Sequence, residues 1–197
     1  MKSLAIEREY GSGGREIGIS VAKKAGIPYY DTNLLVRAAK EYELNIGELQ
    51  EYDEKKTDDL LWSILTTPLN AEDADRSELC KMRDGMKATI KKLAGEGPAV
   101  FIGRCSTEIL IYHPDVVRTY IYSSSITKKI NRIMKKEHVS EAEAKTLMKE
   151  NDRERQSYFR FWTKKDPRDR KNYDLELNTG MLSIPECADI LLYTINH

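Results

Sequence analysis

The sequence contains no run of 18 apolar residues, which excludes a helix that spans a bilayer. Its three cysteines, Cys80, Cys105 and Cys187, are odd in number, far apart and without CxxC spacing. Neither a disulfide framework nor a zinc site is expected from them. His113, His138 and His197 are equally scattered, so no metal cluster is expected there. Charge of one sign is not in surplus either: 32 Lys+Arg balance 32 Asp+Glu. No global basic field points to nucleic acid. The opening "MKSLAIEREYGSGG" has an apolar run too short for a secretory leader, with charges directly behind it. Repeats and low-complexity stretches are absent. The expectation is a cytoplasmic protein with neither a membrane nor a nucleic-acid partner. Its 197 residues are enough for one core and a small insertion, so a single domain is expected over 1–197.

What is present alternates. "SLAIE" (3–7) is a short apolar run that breaks into glycines, as a buried strand does before a turn. "REIGISVAKKAG" follows, with Ile17, Val21, Ala22 and Ala25 at helical spacing and Gly26 as a stop. "IPYYD" reads as a second strand, and Asp31 or Thr32 caps a helix over "NLLVRAAKEY". Residues 44–75 are polar and weakly patterned, and are read as an insertion. "SELCKMRDGMKATIKKLA" is helical, with Met82, Met86, Ile90, Leu93 and Ala94 on one stripe. "AVFI" (99–102) and "VVRTYIY" (116–122) are strands, and a helix follows with Ile126, Ile130, Ile133 and Met134 on one face. "SEAE" at Ser140 and "SIPE" at Ser183 are capping boxes opening two more helices, the first running to about Trp162. "YDLELNT" between them alternates, as an edge strand does. The pattern predicts a three-layer α/β/α fold with a central parallel sheet of about five strands.

Charge is uneven along the chain. From Glu41 to Asp59 eight acids face two lysines, whereas Lys149 to Lys171 carries nine bases and five acids. Both stretches read as solvated helix faces unless the basic one reaches a phosphate. Tyr158, Phe159, Phe161 and Trp162 interleave with Arg160. That pattern fits base stacking, but a helix end folded onto the core is the preferred reading.

The glycines of "REYGSGGR" (8–15) lie between the first strand and the first helix. Ligands bind at that end of the strands in such sheets. Gly11, Gly13 and Gly14 let successive N–H groups, including those of Ser12 and Glu16, converge on an anion, with the helix dipole behind them. A plain tight turn is the alternative. The match to GxxxxGK[ST] is incomplete: Arg8 replaces the first glycine, Gly14 the lysine, and Arg15 the hydroxyl residue. Arg15 or Arg8 is left to supply the charge.

These residues resemble the nucleoside monophosphate kinases, and more closely the cytidylate kinase-like family, whose loop reads REYGSGGR. The resemblance covers most of the chain. "YYDTNLLVRA" is similar to the segment that approaches the monophosphate, which implies Asp31, Thr32 and Arg37 in acceptor binding. "FIGRCSTEILIYHPD" resembles the stretch that brings Gly103 and Arg104 to the acceptor phosphate, with Cys105 in place of an aspartate. "ENDRERQSYFR" resembles an arginine-rich lid, here 149–171, implicating Arg153, Arg155 and Arg160 with Arg15 in catalysis. The family implies a P-loop-class kinase fold, ATP and Mg²⁺, and nucleotide substrates. No protein metal ligand is assigned. Phosphoryl transfer gathers many negative charges in one cleft, and arginines from separate segments meet that need. Two rivals stay open: a nucleotide-binding regulatory protein without turnover, which the missing lysine favours, and a kinase of another small phosphoacceptor.

Overall fold

The computed structural model describes residues 1–31 and 73–197. In chain order these form β1 (Ser3–Arg8), α1 (Gly14–Ala25), β2 (Tyr29–Tyr30), α2 (Asp73–Glu96), β3 (Val100–Ile102), α3 (Ser106–Ile109), β4 (Val116–Tyr122), α4 (Ile126–Glu137), α5 (Glu141–Thr163), β5 (Leu175–Asn178) and α6 (Ile184–Asn196). The five-stranded sheet has the order β2-β3-β1-β4-β5. β1 runs parallel to β3 and β4, and β4 parallel to β5. The connection from β1 leads toward the β2 edge and the one from β3 crosses to β4, so the crevice at the C-terminal ends of β1 and β3 is the switch point where such folds bind ligands. The fold is the parallel-sheet α/β architecture expected.

The chain divides into two compact units, Met1–Tyr29 with Gly97–His197, and Tyr30–Glu96. In the first, strand alternation puts Leu4, Ile6, Val100, Ile102, Val117 and Ile121 on one face of the sheet. Against them pack Ile17 and Val21 of α1 and Cys187, Ala188, Leu191 and Ile195 of α6. Each large aliphatic side chain buried there contributes roughly 1.5–3 kcal/mol. Glu7 and Tyr120, paired across β1 and β4, occupy the opposite face. In the second unit, Met86, Ile90, Leu93 and Ala94 of α2 are buried along the expected stripe.

Local signals placed most boundaries. Both capping boxes form, Ser140 with Glu143 and Ser183 with Glu186, and each is reciprocal. β5 lies at the sheet edge as its alternation implied. Other details differ. β2 has only two residues, and α2 begins at Asp73 rather than Ser77. Neither α3 nor a 3-10 turn at Arg170–Asn172 was foreshadowed, because neither is long enough to show a period. The helix read over "NLLVRAAKEY" and residues 44–72 of the supposed insertion lie outside the described residues.

Candidate functional site

β1 delivers the chain at Arg8 into a tight loop that becomes α1. Gly11 and Gly13 take left-handed backbone angles, φ 73° and 84°, where a side chain is strained. At Gly13 space is also lacking, because Ile184 Cδ1 stands where a Cβ would be. Ser12 is fully buried. Its hydroxyl donates to the Glu9 carbonyl at 2.8 Å and accepts from the Gly14 N–H at 3.3 Å. The loop carbonyls are held from behind. Arg132 Nη1 donates to the Gly11 and Ser12 carbonyls at 3.2 and 3.3 Å, and Thr179 Oγ1 donates to the Ser12 carbonyl at 2.8 Å. In a trans peptide the N–H points opposite its C=O, so the Gly13 N–H is turned away from Arg132. α1 then starts without a side-chain cap, with Arg15 and Glu16 in its first turn. Backbone N–H groups at an uncapped helix start are an anion-binding arrangement.

A second set of contacts fixes the loop to α4 and α5. Lys129 Nζ is 3.1 Å from Glu9 Oε2 and 2.8 Å from Asp152 Oδ2, and its side chain is only 7% exposed. Ser123 N–H donates to the same Glu9 oxygen, and Tyr10 N–H donates to Asp152 Oδ1 at 2.6 Å. Tyr10 hydroxyl reaches Glu137 Oε1 at 2.9 Å. Lys129 therefore does not stand in for the missing loop lysine; two carboxylates hold its ammonium. None of Lys129, Arg132, Thr179, Glu9 and Asp152 was singled out from sequence, since their partners lie far away along the chain.

Arginines gather at the end of β1. Arg155 Nη1 donates to the Arg8 carbonyl at 3.3 Å, and its guanidinium lies over the Tyr10 ring, 5.2 Å from the centroid. Burial, then the nearby Arg8 charge, pulls Arg155 down to about 10. Arg8 crosses Gly103 so closely that a Cβ there would collide with Nη1. Gly103, Arg104 and Cys105 are all left-handed, with φ 77°, 60° and 55°. Glu7 sits among them. Burial raises its carboxyl above the usual range, against the opposing pull of Arg8, Arg155, the Cys105 N–H and Arg104. Glu7 Oε1 is shut off from solvent without a hydrogen-bond partner. Burial, then Glu7, pushes the Cys105 thiol well up, so it stays neutral.

The structure thus brings Arg8, Gly103, Arg104 and Arg155 to one place, next to the loop of Gly11, Ser12, Gly13 and Gly14. It does not bring Arg153 or Arg160 there. At about 100° per residue, Arg153 points roughly 200° and Arg160 roughly 140° away from Arg155 around α5. Both are exposed, and Arg160 pairs with Asp166 at 2.9 Å. The resemblance to an arginine-rich lid groups these three, and helical phase separates them along α5. Asp31 is buried just beyond β2, whereas Thr32 and Arg37 lie outside the described residues. Of the aromatics near Arg160, Phe159 is buried, and Trp162 meets Tyr158 and Phe161 edge-on. Among the described residues no group of three His, Cys, Asp or Glu side chains is placed to hold a metal, and no helix is long and apolar enough to cross a membrane.

No curated protein matches the chain. Solved structures do. An uncharacterized protein from Eubacterium ventriosum is 24% identical with a TM-score of 0.75, covering 100% of this chain and 99% of its own. TT1252 from Thermus thermophilus is 16% identical with a TM-score of 0.56, over 99% of this chain and 96% of its own. Shikimate kinase from Bacteroides thetaiotaomicron is 11% identical with a TM-score of 0.54, over 100% and 99%. At such identities these likenesses speak for the fold alone, an α/β fold shared with that shikimate kinase. The family assignment comes from the sequence itself: the model described as the cytidylate kinase-like family matches residues 3–181, from β1 past β5. With the glycine loop and the arginines both inside that span, the chain belongs to the cytidylate kinase-like family, a kinase-type, nucleotide-directed group.

Proposed function

We propose that the protein transfers the γ-phosphoryl group of ATP to a nucleoside monophosphate, with CMP or dCMP as acceptor, in the cytoplasm. An acceptor phosphate oxygen forms the new P–O bond as the bond from Pγ to the β-phosphate bridging oxygen breaks, and ADP leaves. The observation that carries this reading is the loop held from behind by Arg132 and Thr179, with three arginines gathered at its side. N–H groups of the Gly11–Glu16 segment other than those of Ser12 and Gly14, which are spent inside the loop, hold the donor phosphates together with Arg15 and Arg8. Gly103 and Arg104, with Asp31, Thr32 and Arg37, hold the acceptor. Arg155 lies beside Arg8, suited to charge that builds up between the two phosphates. Arg153 and Arg160 join only if the segment 149–171 moves as a lid over bound nucleotides.

Magnesium fits this loop less well than phosphate does. Arg15 occupies the position of the usual hydroxyl ligand, and the Ser12 hydroxyl already donates to Glu9 and accepts from Gly14. Mg²⁺ would therefore arrive on the phosphates with its waters, as it commonly does. The test is ADP release across a panel of nucleoside monophosphates with ATP and Mg²⁺. Turnover with CMP or dCMP above all others is expected; no turnover with any monophosphate would remove the proposal. A second reading, nucleotide binding without turnover, draws on the engagement of Lys129 with Glu9 and Asp152. ATP binding without transfer to any acceptor would select it.

A further inference from the structure

The half-buried Glu7, whose Oε1 is closed off from solvent, is unaccounted for by phosphoryl transfer. It is the last inward residue of β1 before the loop, on the sheet face opposite α1 and α6. Around it stand Arg8 from β1, Arg155 and Tyr158 from α5, Arg104 and Cys105 from the turn after β3, Tyr120 from β4, and Tyr173 ahead of β5. That turn has three successive left-handed residues and gives its Cys105 N–H to the Glu7 carboxylate. Successive backbone N–H groups in such turns form anion-holding concavities. Here the anion is built in. Its Oε1 has no partner, although burying a polar atom without a hydrogen bond costs about 1–3 kcal/mol. Tyr158 Oη is likewise buried without a partner.

We propose that Glu7 is an internal counter-anion for the arginine cluster, and that a phosphate binds there only as Glu7 takes up a proton. A phosphate dianion and an ionised Glu7 repel each other within one arginine cluster, whereas a neutral carboxyl donates a hydrogen bond to a phosphate oxygen. This deepens the proposed function, because the anion meant is a nucleotide phosphate, but it does not depend on turnover. The tyrosines, the thiol and Arg155 facing Glu7 hold their charge state at neutral pH. Burial raises Tyr120, Tyr158 and Tyr173, burial raises the Cys105 thiol, and Arg155 stays cationic even at about 10. Glu7 alone among them has been moved toward neutrality from below.

Two measurements test this on the full chain. Calorimetry of CMP and of inorganic pyrophosphate, in buffers of different ionisation enthalpy, reads proton uptake on the unaltered protein. Uptake approaching one proton is expected near neutral pH and should vanish in acid, where Glu7 is already neutral. Glu7→Gln, which keeps size and removes the charge, should bind more tightly at neutral pH. The ratio of the two affinities should grow with pH by at most about tenfold per unit, as a one-proton linkage requires. Dividing by the variant cancels the ligand's own phosphate titration. Uptake that is absent at all pH values, or unchanged in Glu7→Gln, overturns the proposal and leaves the kinase reading standing. Linked uptake with pyrophosphate but no binding of CMP keeps the proposal and removes the nucleotide reading. No binding of either ligand by either protein overturns both.

Discussion

The two sides of the glycine loop are built differently. Behind it, Arg132, Thr179, Lys129, Glu9 and Asp152 form contacts in which each charge or hydroxyl meets a carbonyl, an N–H or an opposite charge. In front, Arg8 and Arg155 are held close enough to oppose each other, and Glu7 and Tyr158 bury oxygens without partners. The first arrangement stabilises a conformation. The second retains strain and desolvated charge, which a protein keeps where a ligand or a reaction uses them. The comparison separates residues that shape the loop from those that act through it.

The sharpest way to break it is to remove Lys129. Lys129→Met leaves Glu9 and Asp152 facing each other without the ammonium. Removing one partner of a buried pair costs about 3–5 kcal/mol, with the lower end expected because the carboxylates are 28% and 19% exposed. The loss should show in urea unfolding with the slope unchanged. A variant as stable as the parent would mean that the network behind the loop is ornamental.

Arg155 and Arg160, five residues apart on one helix, test the front. If transfer occurs as proposed, Arg155→Ala should slow it about 10²–10³-fold, as removing one preorganised donor does. Arg160→Ala should leave kcat nearly intact and cost no more than the ~1 kcal/mol of an exposed pair. Equal losses of rate in both variants would point to a moving lid that brings Arg160 into the site. Gly13→Ala sits between the two sides. Its left-handed angle costs a side chain about 1–2 kcal/mol, and the collision with Ile184 adds overpacking of about 1–3 kcal/mol. At roughly 2–4 °C per kcal/mol the melting temperature should fall measurably. An unchanged melt would mean that α6 yields easily.

How much of this was legible in advance follows the range of each signal. Strand, glycine loop and helix start are contiguous, so local pattern found them. Both capping boxes span four residues and were found as well. Lys129 with Asp152, and Arg132 with Gly11, are joined only by the fold, and no local pattern marks them. The resemblance to a lid grouped Arg155 with Arg160 without regard to helical phase. Once Ser140 fixes the start of α5, helical phase puts Arg155 near the side of Tyr158 and Phe159, and Arg160 well around from it. Glu7 was visible as the charged end of an apolar strand, but its burial depends on α5 and the turn after β3.

The smallest expected effect concerns stability rather than binding, and it isolates Glu7 without any ligand. Its carboxyl is raised in the folded state from an ordinary value of 4.5, chiefly by burial. A raised carboxylate favours the folded chain at low pH, where both states hold the proton, and loses that advantage as pH rises from 4.5 through the folded value. Glu7→Gln carries no such proton. The two proteins should therefore melt at a constant offset in acid, with the variant gaining steadily as pH rises, until the difference levels off above the folded value. Glu143 and Glu186, lowered by hydrogen bonds from Ser140 and Ser183, work in the opposite sense: their stabilisation is lost as pH falls. They titrate alike in both proteins, so the difference between the two melting curves removes them. A difference that does not change with pH would mean that Glu7 is ionised as readily in the folded chain as in water. The pull of the arginines would then offset burial at Glu7, and the front of the loop would be as well matched as the back.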